Sequence, residues 1–232
     1  MSEPQNSAPV AEIGLIEDAL PDAIFTRLAY AVRALGYERM KGNGSYTTTF
    51  WFPRDAEPTN VAEEAVVALL EQVDPGPQCI GMEWWLGRLG YGKELRLHFD
   101  QDLALKKKTD QSIHPILSSV LYLNSFPSSP TLILDQVLAP DGKSMIPEKA
   151  EFGKSVDAVP NHYVVFPGTL RHGVIPNPKA EQEAEELRLT LLVNYWQRRP
   201  LPPICTEYDG TIYATLKDVA NERVKESGVN RI

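Results

Sequence analysis

The sequence predicts a mainly β fold with flanking helices, an antiparallel sandwich or jelly roll behind two N-terminal helices. Three observations predict it. Two segments with apolar residues at helical spacing come first, over 22–35 and 60–70. From residue 79 onward short apolar runs follow one another between turn residues, at 79–90, 93–99, 115–123, 131–138, 163–166, 172–175 and 188–196. Strands at such spacing mark sandwiches and jelly rolls. One of these strands runs directly into His98-Phe99-Asp100.

Taken in order, residues 1–11 are polar with two prolines and are expected to be loosely ordered. In 22–35, Ile24, Phe25, Leu28, Ala31, Val32 and Leu35 form one apolar face, and Gly36 ends the helix. Gly42-Asn43-Gly44 is a turn signal, and the Thr- and aromatic-rich run Ser45 to Phe52 reads as a strand. Asn60 caps a helix through Leu70, with Val61, Ala65, Val66 and Leu69 on one face, and Asp74-Pro75-Gly76-Pro77 stops it. Trp84 and Trp85 are adjacent on a strand, so they leave opposite faces. Pro200 to Pro203 stops the last strand, and Thr211 to Glu226 reads as a terminal helix. The organisation expected is one domain over 1–232, with 1–11 disordered, 12–75 a helical support with a strand, 79–199 the jelly-roll core and 200–232 a C-terminal extension.

Composition bounds the function. At 232 residues, 43% hydrophobic and 23% charged, the chain can bury a substantial core. A net charge of −8 argues against a nucleic-acid binder, which would show a basic face. Cys79 and Cys205 make no disulfide framework, so a reducing compartment is expected. No apolar run reaches transmembrane length, and the N-terminus lacks a secretory pattern. The expectation is a cytoplasmic protein with a small-molecule or peptide substrate. The sequence sets no oligomeric state.

His98 and Asp100 lie two apart on a strand, so both side chains leave the same face. One imidazole and one carboxylate are two ligands of a three-ligand site. His172, far along the chain, fits as the third. Two His and one carboxylate with open positions form the facial triad of non-haem Fe(II) oxygenases. Downstream, Arg188 opens the apolar strand that ends at Trp196, placed to fork a carboxylate. The alternatives are a surface His-x-Asp hydrogen bond with His172 unrelated, and an Arg188 ion pair with Glu183, Glu185 or Glu186.

In this order Arg88, Gly92, His98, Asp100, His172 and Arg188 resemble the pattern of the Fe(II)- and 2-oxoglutarate-dependent dioxygenases, in particular the prolyl-hydroxylase-like branch. The run Val120 to Asn124, followed by a turn and Thr131-Leu132, continues the resemblance, which covers about residues 80–200. Departures are Leu89 and Leu95 in place of aromatic residues, Ser129-Pro130 in place of a Gly pair, and a longer segment between His172 and Arg188. The resemblance implies a double-stranded β-helix, a cupin-like jelly roll braced by helices. It implies Fe(II) on His98, Asp100 and His172, with 2-oxoglutarate as co-substrate and O2 as oxidant. Arg188 would hold the far carboxylate of the co-substrate, with Thr190 and Tyr122 beside it. The activity implied is an oxidoreductase: a hydroxylase acting on an amino acid, a peptidyl residue or a small metabolite, with release of succinate and CO2. Asp100 supplies the carboxylate that halogenases of this type lack, which favours hydroxylation.

Arg88 and Trp84 are candidate substrate contacts, with Trp85 as another residue for the cavity mouth. His114 and His162 read as structural, and Lys106-Lys107-Lys108 as a solvated charge run. Two rival functions stand beside the dioxygenase. One is a cupin-like metalloenzyme that does not use 2-oxoglutarate and has no need of Arg188. The other is a non-catalytic binding or sensor module on the same scaffold.

Overall fold

Two sheets face each other and leave a cavity between them, and helices cover the outer face of the larger one. The computed structural model describes residues 12–35, 48–177, 187–213 and 216. In chain order the first elements are β1 (Gly14–Ile16), α1 (Asp22–Ala34), β2 (Thr49–Pro53), α2 (Val61–Gln72), β3 (Gly81–Gly90) and β4 (Leu95–His98). Next come α3 (Leu103–Thr109), β5 (Leu117–Tyr122), β6 (Phe126–Leu134), β7 (Val137–Leu138) and β8 (Met145–Ile146). The last are β9 (Gly153–Ala158), β10 (Tyr163–Pro167), β11 (His172–Val174), β12 (Leu187–Trp196) and β13 (Cys205–Glu207). The larger sheet runs β1-β10-β5-β12-β3-β2-β13 and the smaller β4-β11-β6-β9, with β7-β8 a separate hairpin. Within the two facing sheets all pairs are antiparallel except β13 on β2.

Alternation along the strands builds two cores. On β12, Leu189, Leu191, Val193 and Tyr195 point to the helices. There they meet Leu28, Ala31 and Val32 of α1 and Val61, Val66 and Leu69 of α2. Several of these side chains are fully buried, each worth about 1.5–3 kcal/mol of transfer free energy. The opposite face of β12 carries Arg188, Leu192 and Asn194 into the cavity. Beside the cavity, Val120 and Tyr122 of β5 and Phe166 of β10 pack on Ile133 and Val156 of the smaller sheet.

The fold is the predicted jelly roll, with helices bracing one side. Asn60 caps α2 as expected, its Oδ1 accepting from Ala62 N at 2.9 Å and Glu63 N at 3.2 Å. Some boundaries differ. The strand expected over 131–138 begins at Phe126 and ends at Leu134, after which β7 is a separate piece. Ser128-Ser129-Pro130 reads as a turn, yet it lies inside β6 at a register irregularity against β9. β1, β9 and β13 were not expected. They are short or polar strands that pair at sheet edges. The Lys106–Lys108 run is the last turn of α3, and that helix buries Leu105. Residues 1–11, the 42–44 turn, Gly36 and most of the 211–226 helix lie outside the described residues. Among the described residues, no helix is long and apolar enough to cross a membrane.

Candidate metal centre

β4 and β11 are neighbours, and their register sets His98 directly against His172. The imidazole centroids lie 4.5 Å apart. Asp100 follows the end of β4 and turns its carboxylate between the rings: Oδ1 is 3.6 Å from His98 Nε2 and Oδ2 is 3.6 Å from His172 Nε2. One donor atom from each of the three lies within 4.8 Å of the others. This close approach of strands needs Gly173, because a Cβ there would sit 2.6 Å from the Leu95 carbonyl oxygen.

The protein fixes the tautomer of both rings. His98 Nδ1 lies 2.8 Å from the Arg96 carbonyl, and His172 Nδ1 lies 3.0 Å from the Leu170 carbonyl. A carbonyl only accepts, so each Nδ1 carries the proton and each Nε2 presents a lone pair. Ser118 Oγ donates to Asp100 Oδ2 at 2.8 Å, and the His114 Nδ1–H donates to the Asp100 carbonyl at 2.6 Å. Phe166 packs edge-on against His172, its centroid 4.8 Å away.

The electrostatics match these roles. Burial pushes the His172 imidazole below its ordinary value, against the pull of Asp100 and with help from His98. Burial works the same way on His98, but the hydrogen bond and charge of Asp100 and the Arg96 carbonyl outweigh it and raise the ring. Burial would raise Asp100, yet His172, His98 and the Ser118 hydroxyl hold its carboxyl well below the usual range. Two imidazole nitrogens and one ionised carboxylate on one side of a point, facing a cavity, fit an Fe(II) ion with adjacent positions open.

That cavity, of about 450 Å³, is lined by His98, Asp100, His172 and Arg188. Arg188 is buried, its Nη2 donating to Thr131 Oγ1 at 2.7 Å and its guanidinium carbon 5.1 Å from the centre of the Tyr122 ring. Tyr122 OH also donates to Thr131 Oγ1, at 2.8 Å. A hydroxyl that accepts twice still has its own proton to give. The cluster therefore offers a cation and a hydroxyl donor, and Thr131 is also a cavity residue.

His98, Asp100, His172, Arg188 and Tyr122 are thus brought together as the sequence suggests. Thr190 shares the Arg188 face, but its hydroxyl packs over Gly87, where a Cβ would lie 2.4 Å from Oγ1. It is Thr131 that touches Arg188. Trp84 is corrected: it does not line the cavity. It is fully buried in the helix-side core, 4.9 Å from Phe50 and 5.5 Å from Tyr208, while Trp85 on the other face lines the cavity. Arg88, half-buried, is not among the residues that line the cavity, and alternation puts it on the face of Trp84 and Leu86. His114 is a brace for the ligand segment, and Lys106 pairs with Asp110. Sequence reasoning missed Thr131, Ser118, Glu83 and Asn194 as cavity-side groups. For Ser118 the signal was present: it alternates with Val120 and Tyr122 on β5, so all three share one face.

No family model matches the chain, and no curated protein matches it. Among solved structures it is similar to AviO1 from Streptomyces viridochromogenes Tue57, at 15% identity over 83% of this chain and 92% of that one, with a TM-score of 0.52. It is also similar to a prolyl-4-hydroxylase from Pseudomonas putida, at 21% identity over 81% and 89% with a TM-score of 0.49. HygX from Streptomyces hygroscopicus, solved with iron bound, matches at 15% identity over 86% and 85% with a TM-score of 0.44. The AviO1 likeness is one of fold. The chemistry rests on the residues above.

Proposed function

We propose that the protein is an Fe(II)- and 2-oxoglutarate-dependent dioxygenase that hydroxylates an unactivated C–H bond of an amino acid, a peptidyl residue or a small metabolite. The observation that carries this reading is the convergence of His98 Nε2, His172 Nε2 and the Asp100 carboxylate in a cavity that also contains Arg188. Bound Fe(II), with 2-oxoglutarate and O2, supplies the oxidising power, and succinate and CO2 are released. The protein's part is to bind, orient and exclude water.

His98, Asp100 and His172 would hold the metal, and Ser118 keeps the Asp100 carboxylate turned towards it. Arg188 and the Thr131 hydroxyl bind the far carboxylate of 2-oxoglutarate, and Tyr122 orients Thr131 through its own O–H. Thr131 pairs with Val174 on β11, two residues from His172, or roughly 7 Å along a strand. A five-carbon dicarboxylate can bridge from there to the ligand cluster. Phe166 and Val120 keep that region dry.

The test is an anaerobic titration of the Fe(II)-loaded protein with 2-oxoglutarate, following the visible charge-transfer band of the chelate. The band is expected in the wild type. Arg188→Ala is expected to need at least about tenfold more 2-oxoglutarate, the loss of a charge-assisted hydrogen bond. An unchanged requirement, or iron binding without a band, would overturn co-substrate use and point to a cupin-like enzyme. Failure to bind iron would leave a binding module.

A further inference from the structure

Beyond the His98, Asp100, His172 cluster and Arg188, the cavity wall is apolar and only half covered. Trp85 on β3 and Leu192 on β12 stand opposite each other in the register, and Val120 of β5 completes their rung. Val120 is two residues from Ser118, which holds Asp100, so the rung lies about 7 Å along β5 from that serine. Phe99 follows β4 directly, Leu103 opens α3, and Leu201 and Ile204 precede β13. These side chains line the cavity. Trp85, Phe99, Leu192, Leu201 and Ile204 are half-buried, and Leu103 is 47% exposed. Apolar side chains gathered around a cavity and left open mark a ligand site, unlike apolar residues scattered singly over a surface.

The polar groups of the same wall are engaged or sealed. The buried Asp102 carboxylate accepts from Leu105 N at 2.9 Å, from Arg198 Nη2 at 2.6 Å and from Leu201 N at 3.1 Å. Glu83 accepts from Thr49 Oγ1 and from Trp196 Nε1, and burial pushes its carboxyl up to about 7. Burial likewise pushes the Cys205 thiol up to about 12, which keeps it neutral. Asn194 Oδ1 and Gln101 Oε1 have essentially no surface open to the cavity. A charged ligand group against this wall therefore meets no free opposite charge among the described residues, and an unpaired buried charge is costly. We propose that the prime substrate is an uncharged small molecule whose hydrocarbon body lies among Trp85, Leu192, Phe99, Leu103, Leu201 and Ile204. The proposal deepens the dioxygenase reading and rests on it for the word substrate; the apolar site itself stands on this lining. It also selects among the substrate classes. A free amino acid brings an ammonium and a carboxylate, and with Arg188 holding 2-oxoglutarate neither finds a partner at this wall. The cavity volume of about 450 Å³ falls within the range of small-molecule sites, about 300–1,000 Å³.

The experiment is anaerobic calorimetric titration of the full chain, supplied with Fe(II) and 2-oxoglutarate at neutral pH, with cyclohexylmethanol and with its protonated counterpart cyclohexylmethylamine. The alcohol is expected to bind at least about tenfold more tightly than the amine. Trp85→Ala is expected to weaken the alcohol about tenfold, through loss of apolar contact area. Leu103→Asp is expected to reverse the preference, weakening the alcohol and strengthening the amine. Leu103 is exposed at the first position of α3, where an acidic side chain suits the helix N-terminus, so this variant keeps the test sound should Trp85→Ala fail to fold. Absence of alcohol binding, amine binding by the wild type as tight as that of the alcohol, or alcohol binding by Leu103→Asp and a folded Trp85→Ala within twofold of wild type overturns the proposal. The visible charge-transfer band is followed in the same samples. A band without preference for the alcohol sinks this proposal alone; preference for the alcohol without a band supports the apolar site and sinks the dioxygenase reading.

Discussion

The Asp100 carboxylate accepts from the Ser118 hydroxyl at 2.8 Å and faces two imidazole Nε2 atoms at 3.6 Å. Removing the hydroxyl frees the carboxylate to rotate without removing a ligand. Ser118→Ala is therefore expected to weaken iron binding by about 10–100-fold, as loss of outer-shell partners generally does, measured by anaerobic metal titration. His98→Ala and Asp100→Ala are expected to abolish 2-oxoglutarate turnover coupled to substrate oxidation; near-normal rates in both would refute the ligand assignment. Glu83 predicts a pH effect on stability. Its carboxyl is raised from 4.5 to about 7 by burial, so the folded state favours the protonated form. That contribution is fully present below pH 4.5 and is lost as pH rises through 7, a change of about 3 kcal/mol. Urea unfolding of Glu83→Gln is expected to lack this decline, so the variant gains on the wild type between pH 4 and pH 8. Parallel curves for the two proteins would show that Glu83 is not the group responsible.

At the scale of elements, Gly173 lets β4 and β11 approach closely enough for their histidines to share a site. Gly173→Ala is expected to separate these strands and reduce iron affinity, while Asn60→Ala costs about 1 kcal/mol of stability by loss of the α2 cap and leaves iron affinity unchanged. Melting curves and metal titrations of the two variants separate the effects. α2 was legible because its cap and its apolar spacing are local. The His98–Asp100 pair was legible because the two lie only two residues apart, although Asp100 stands just past the end of β4 rather than on it. β6 was misread because Ser128-Ser129-Pro130 carries turn chemistry, and only its pairing with β9 and β11 makes the surrounding segment a strand. The role of Thr131 was hidden for the same reason. Its contact with Arg188 crosses from one sheet to the other, a separation of 57 residues that no local pattern records. Trp84 and Trp85 show the limit from the other side: alternation says that they part, but only the packed helices say which one faces the cavity.

Over the whole molecule, the helix-side core and the cavity are two faces of one sheet. Leu69 belongs to the first and is not among the described residues that line the second. Leu69→Ala is expected to lower unfolding free energy by about 2–5 kcal/mol with the iron affinity of the folded protein unchanged. Coupled loss of both would mean that the helices tune the cavity through the sheet. The larger sheet also has an order in time. Pro200, Leu201, Ile204 and Cys205 form part of the cavity wall, and β13 joins β2 some 150 residues after β2 appears in the chain. During synthesis His98, Asp100 and His172 leave the ribosome first, Arg188 next and this wall last. A nascent chain thus carries His98, Asp100 and His172 before this wall of the cavity has been made.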